Sequence, residues 1–106
     1  MTGKEFVGLC HEEKETILKG YFANDAESAA SLIINRLIAS GTSKEELYKL
    51  INTVMTDSFY TLLLGLDGAC SLGNEQITYK VYDEEGNFIN PCGEIEENAY
   101  GYFIEE

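Results

Sequence analysis

Four side chains of the sequence have the types that do metal or nucleophilic chemistry: Cys10, His11, Cys70 and Cys92. Three thiols and one imidazole are a legal ligand set for zinc, but zinc ligands come in close pairs such as C-x2–4-C, and these residues are scattered along the chain. As a nucleophile, Cys10 would have only its neighbour His11 for a base, and Cys70, Cys92 or Ser71 would have to reach the same single histidine; no nucleophile elbow marks any of them. The stretch "DEEGN" from Asp83 starts like a calcium loop, yet the glycine such a loop needs at its sixth position falls at the fourth, as Gly86. Gly65, Gly68 and Gly73 are not followed by the Gly-Lys-Ser/Thr of a phosphate loop. Paired carboxylates are available anywhere among nineteen acids and so point to nothing. The reading is no catalytic residue, no metal, no cofactor and no enzyme. The cysteines read as small buried thiols in a reducing compartment.

What remains is charge. The 106-residue chain carries a formal −12. Residues 1–53 hold eight acids and six bases, whereas residues 54–106 hold eleven acids against Lys80 alone. An asymmetry of this size repels nucleic-acid phosphate and anionic lipid and favours a basic partner. The acids of the second half are interleaved with tyrosines, the residue type favoured at binding hot spots. The expected partner-binding surface is Asp83, Glu84, Glu85, Glu94, Glu97, Tyr82 and Tyr100. Part of this charge has a structural use: Glu94, Glu96 and Glu97 would lie in the first turns of a helix and complement its dipole, and acids are ordinary in a turn such as 83–85.

The elements that must position these residues are legible from periodicity, and the length predicts one globular domain, residues 1–106. "TGKE" at Thr2–Glu5 fits a capping box, and Phe6, Leu9, Cys10, Ile17, Leu18 and Tyr21 recur at helical spacing, with a break or restart expected near His11 and a stop at Gly20. A second helix is expected after Asn24 or Asp25, with Ala26, Ala29, Ala30, Ile33, Leu37 and Ile38 on its apolar face, ending at Gly41. Ser43 and Glu46 fit a second capping box, and an apolar 3.6 period predicts a long central helix over about 43–64. Residues 65–76 read as a loop. The alternation in "ITYKVYDEEGNFIN" predicts a β-hairpin over about 76–90, with Ile77, Tyr79 and Val81 on one side. Asn90 and Pro91 read as the start of a C-terminal helix over about 91–104. The expected class is α+β, mostly helical, with three or four helices before the hairpin. No apolar run approaches the ~20 residues that cross a bilayer, and the first residues do not read as a signal peptide, so the expected location is the cytoplasm.

The helical first half, "FYTLLLGLDGACSLG" and the acidic "YKVYDEEGNFINPCGEIEENAYGYF" together resemble small acidic bacterial immunity proteins, which neutralise a cognate toxin. The resemblance implies a cytosolic inhibitor whose acidic face covers the basic active site of a partner, commonly a nuclease. Three other readings stay open: a DNA mimic or phage-type inhibitor of a nucleic-acid-binding protein, a small ligand-binding or enzymatic domain with a pocket under the 65–76 loop, and a regulatory or dimeric domain whose acids only keep it soluble. The last would show itself by a large apolar surface left over on the long helix. Monomer or dimer is undecided at this level.

Overall fold

The computed structural model describes residues 1–105. They form α1 (Gly3–Tyr21), α2 (Ala29–Ala39), α3 (Lys44–Leu66) and α4 (Glu94–Phe103), with one 3-10 turn, Pro91–Gly93, leading into α4. No described helix is long and apolar enough to cross a membrane.

Each helix starts where a side chain can take up its free amides. At α1 the capping box is complete: Glu5 N donates to Thr2 Oγ1 (3.1 Å) and Thr2 N to Glu5 Oε1 (2.9 Å). The helix then runs unbroken through His11 rather than restarting there. α2 is capped by Ser28, not by Asn24 or Asp25. Ser43 caps α3 by accepting from Glu46 N (3.2 Å), but its hydroxyl turns to Glu45 and the reciprocal bond from Glu46 is not made. At 23 residues α3 is roughly 34 Å long and is the spine of the molecule.

The expected β-hairpin does not form: among the described residues there is no strand, and the fold is all-α rather than α+β. Residues 76–90 hold only isolated antiparallel bridges, Tyr82↔Phe88 within the segment and Asp67↔Thr78 to the end of α3. The reason lies in where the backbone groups go. Tyr79 N donates to the carbonyl of Leu66 (2.8 Å), Val81 N to the side chain of Asn90 (2.8 Å), and the Tyr79 carbonyl accepts from Asn90 Nδ2 (2.6 Å). The two arms keep two backbone bonds, Ile89 N to the Val81 carbonyl (2.8 Å) and Asp83 N to the Asn87 carbonyl (3.1 Å), but a helix end and an amide side chain take the bonds on the Tyr79 side, so pairing stops at a single bridge. Of the three residues expected on one side of the hairpin, Tyr79 and Val81 are half-buried and Ile77 is exposed. The turn at the tip is real: Gly86 has φ +87, and the Tyr82 and Phe88 rings stack across it at 5.3 Å.

The main core lies at one end, where α4 packs across α1 and α3. Val7, Leu63, Ile89, Ile95, Ala99 and Phe103 are buried together there. α1 and α4 start so close together that a Cβ on Gly3 would sit 2.7 Å from the Ile89 carbonyl oxygen and 2.8 Å from Glu94 Cβ. With only 10 residues α4 cannot cover the length of α1 and α3. Their far halves share only α2, with Leu18, Ile34 and Leu47 buried and the Phe22 and Tyr48 rings 5.0 Å apart.

Between α3 and α4 a polar knot holds the loop. Asn90, 3% exposed, donates to Asp67 Oδ1 (2.7 Å) and to the Tyr79 carbonyl while accepting from Val81 N. The other oxygen of Asp67 accepts from Glu96 N (2.8 Å), so the residue that ends α3 also caps the first turn of α4. Asn90 was expected to cap that helix itself; its side chain makes no capping bond. Replacing it strands an amide and a carbonyl in a buried site. Asn90→Ala is expected to destabilise the protein by about 2–4 kcal/mol, read as a lower denaturation midpoint at unchanged slope. A loss within 0.5 kcal/mol of zero would show that the knot does not hold the loop.

Candidate functional site

The acids singled out in the sequence divide between two uses. Asp83 is turned onto its own loop and onto the start of the chain. Its Oδ1 accepts from Glu85 N (3.0 Å) and Asn87 N (2.9 Å), and its Oδ2 from Asn87 Nδ2 (2.9 Å) and the Met1 amino group (3.0 Å). The Asn87 side chain, then its backbone amide, then the amino group hold the carboxyl well below the usual carboxylate range. Glu94 Oε2 accepts from Gly3 N (3.3 Å). Asp83, Glu94 and Glu5 therefore gather at the N-terminus of α1, where free amides and the positive end of the helix dipole favour them.

Glu84, Glu85 and Tyr82 remain exposed at the tip of the loop, while Glu97 and Tyr100 are exposed on α4. The structure does not bring all seven residues to one cavity. Tyr82 and Asp83 wall one groove. Glu97 and Tyr100 wall another, of about 460 Å³, with Tyr60, Cys92 and Glu96. The start of α1 links the two sides, since Met1 borders the first groove and Lys4 shares a recess with Glu97.

The first groove, about 550 Å³, is the more apolar. Phe6 and Leu9 from α1, Phe59 from α3, and Val81, Tyr82 and Ile89 from the loop make its floor, with Glu13 and Asp83 at its edge. It exists because the knot at Asn90 fixes Val81 and Ile89 against the face of α1 that carries Phe6, Leu9, Cys10 and Glu13 at helical spacing. Cys10 also borders it, and burial pushes that thiol up from its ordinary value, away from the reactive thiolate. The sequence showed the apolar stripe of α1 but gave no sign that part of it would stay open as a groove.

The thiols and the imidazole are not assembled. His11 lies against Phe103 (5.2 Å, edge-on) and Tyr102 (5.7 Å), and borders a different, polar recess of about 240 Å³. Cys70 Sγ donates to the Thr61 carbonyl (3.6 Å), and Cys92 is exposed. Among the described residues no group of three or more His, Cys, Asp or Glu side chains could hold a metal ion. The recess under the 65–76 loop, about 440 Å³, is walled by Asp57, Ser58, Thr61, Leu62, Ser71 and Leu72 and contains no histidine or cysteine.

A buried lysine escaped the reading of the sequence. Lys14, 4% exposed, lies on the buried face of α1 with Val7 and Leu18, at the i+7 and i+11 positions that should have flagged it. Its Nζ donates to Glu15 Oε2 (2.6 Å) and Asn52 Oδ1 (2.9 Å), so its charge is answered within the protein, and Glu15 is held below its usual range in return.

The depressed Asp83 carboxyl has a consequence for stability. Its contribution is complete above the ordinary carboxylate range and is lost as pH falls through the lower folded value. Asp83→Asn keeps an oxygen acceptor for the turn amides and removes the charge. The variant is expected to melt lower than the parent at neutral pH, with the difference shrinking on acidification, as read by thermal unfolding from pH 7 to pH 2. Parallel curves would show that the charge contributes nothing.

No family model, curated protein or solved structure matches this chain, so what it does has to come from its own charge and geometry.

Proposed function

We propose that the protein is a non-enzymatic acidic binding protein, an inhibitor of the immunity-protein kind that blocks a basic, nuclease-like toxin in the bacterial cytoplasm. The observation that carries this reading is the apolar groove of about 550 Å³ with carboxylates at its edge, beside the free Glu84 and Glu85 of the same loop. The two parts supply different things. An apolar side chain of the partner seated on Phe6, Leu9 and Tyr82 gains roughly 25 cal/mol for each Å² of apolar surface buried. The acids raise the association rate and select for positive charge, adding little affinity individually because they are exposed. Net charge of −12 argues against nucleic acid or an anionic membrane as the direct ligand. Three free cysteines suit a reducing compartment.

The test uses the chain as immobilised bait in a bacterial lysate, with the captured protein carried forward into kinetics. The expected capture is a basic protein released by salt. Glu84, Glu85 and Glu97 changed together to Lys should slow its association about 10- to 100-fold at low ionic strength and flatten the salt dependence. Tyr82→Ala should act mainly on the dissociation rate. A captured partner bound by the triple variant at the parent's rate would remove the acids from the interface and with them this reading.

A further inference from the structure

The only histidine of the sequence and the one buried lysine among the described residues border the same polar recess, of about 240 Å³. His11, Lys14 and Glu15 come to it from α1, Asn52 and Thr56 from α3, and two rings of α4 close it. It shares no residue with the apolar groove.

Lys14 has one partner that packing explains and one that it does not. The ammonium has three protons and donates to Asn52 Oδ1 (2.9 Å) and Glu15 Oε2 (2.6 Å). Asn52 stands on the facing helix. Glu15 is the next residue of the same helix, and such neighbours project about 100° apart and do not face each other. Its carboxylate therefore reaches round to the ammonium from the solvent side: the Glu15 side chain is 37% exposed, that of Lys14 5%. An ion pair with one member in water adds little to stability, so a second carboxylate can take over from Glu15 with little loss.

The rest of the wall is made of donors. Among the described residues no partner engages Asn52 Nδ2, the Thr56 hydroxyl or the ring nitrogens of His11, and since no buried side-chain nitrogen or oxygen lacks a partner, these groups open to water. Together with the third proton of Lys14 they select an anion. Glu15 shows the kind of anion the ammonium accepts. The space is smaller than the ~300–1,000 Å³ that takes drug-sized molecules, so the guest is small. The net −12 of the chain slows an incoming anion, but at physiological ionic strength charges beyond about 8 Å are largely screened and Lys14 governs the contact. We propose that the recess is a binding site for a small carboxylate, of the size of acetate or a little larger, seated on Lys14 and Asn52 in the place that Glu15 now fills. Glu15 is the internal stand-in for this guest. The site is independent of the acidic groove and of the partner proposed for it.

Titration of the isotope-labelled chain with sodium acetate, against sodium chloride of equal ionic strength as the blank, tests this by nuclear magnetic resonance. The expected shifts are confined to the Asn52 side-chain amide and the backbone amides of His11, Lys14 and Thr56. Glu15→Ala removes the competing carboxylate and should bind acetate at least ~10-fold tighter, and acetate should raise its melting temperature more than the parent's. Asn52→Asp keeps an oxygen against Lys14 but adds a fixed carboxylate, so it should fold and lose the response to acetate. Lys14→Met should lose it too, with circular dichroism confirming the helices. A parent chain that ignores acetate, a Glu15→Ala chain that binds it no tighter, or an Asn52→Asp or folded Lys14→Met chain that still responds overturns the inference, as do shifts spread over the whole surface.

Discussion

The loop between α3 and α4 depends on one buried amide. Asn90 satisfies a donor and an acceptor of the 79–81 backbone and hands a hydrogen bond to Asp67, whose second oxygen caps α4. A single side-chain relay therefore ties the end of α3, the long connecting loop and the start of α4. Asparagine suits the post because its amide both donates and accepts; aspartate would face the carboxylate of Asp67 with no proton to offer. The buried side-chain polar atoms of the described residues all find partners, so the relay is a closed network, the condition under which buried polarity holds a fold in one arrangement. The floor of the apolar groove is a by-product of this relay, since Val81 and Ile89 stand where Asn90 and their mutual backbone bond put them.

The acidic half of the chain is less uniform than its composition implies. Asp67, Asp83 and Glu94 are engaged by backbone amides at loop turns and helix starts. What is left among the described residues of that half is exposed: Glu84 and Glu85 at the loop tip, Glu96 and Glu97 on α4, and Asp57, Glu75 and Glu105 elsewhere. Engaged carboxylates shape the site, and free ones give it long-range attraction, which salt screens.

Apolar side chains stay exposed on the helices outside the groove as well: Leu32 and Ile33 on α2 and Leu50, Val54 and Leu62 on α3 are each at least half exposed. This follows from the short α4, which closes the core at one end of α1 and α3 only.

The helices were legible because each is a local matter. Capping at Thr2 and Ser43, the apolar period of residues 47–66 and the glycine-bearing turn at 83–87 involve residues a few positions apart, and their geometry is set by neighbours in sequence. The failed hairpin shows the opposite case. Alternation prepares a segment for pairing but does not choose the partner, and Leu66 and Asn90, 13 and 11 residues from the Tyr79 groups they bind, took the bonds. Likewise the sequence alone determined that the protein is strongly acidic and that its acids crowd the second half. Which carboxylates stay free, that a groove opens beside them, and that Lys14 is buried were decided by tertiary packing, because burial and hydrogen bonding depend on groups brought together from distant parts of the chain.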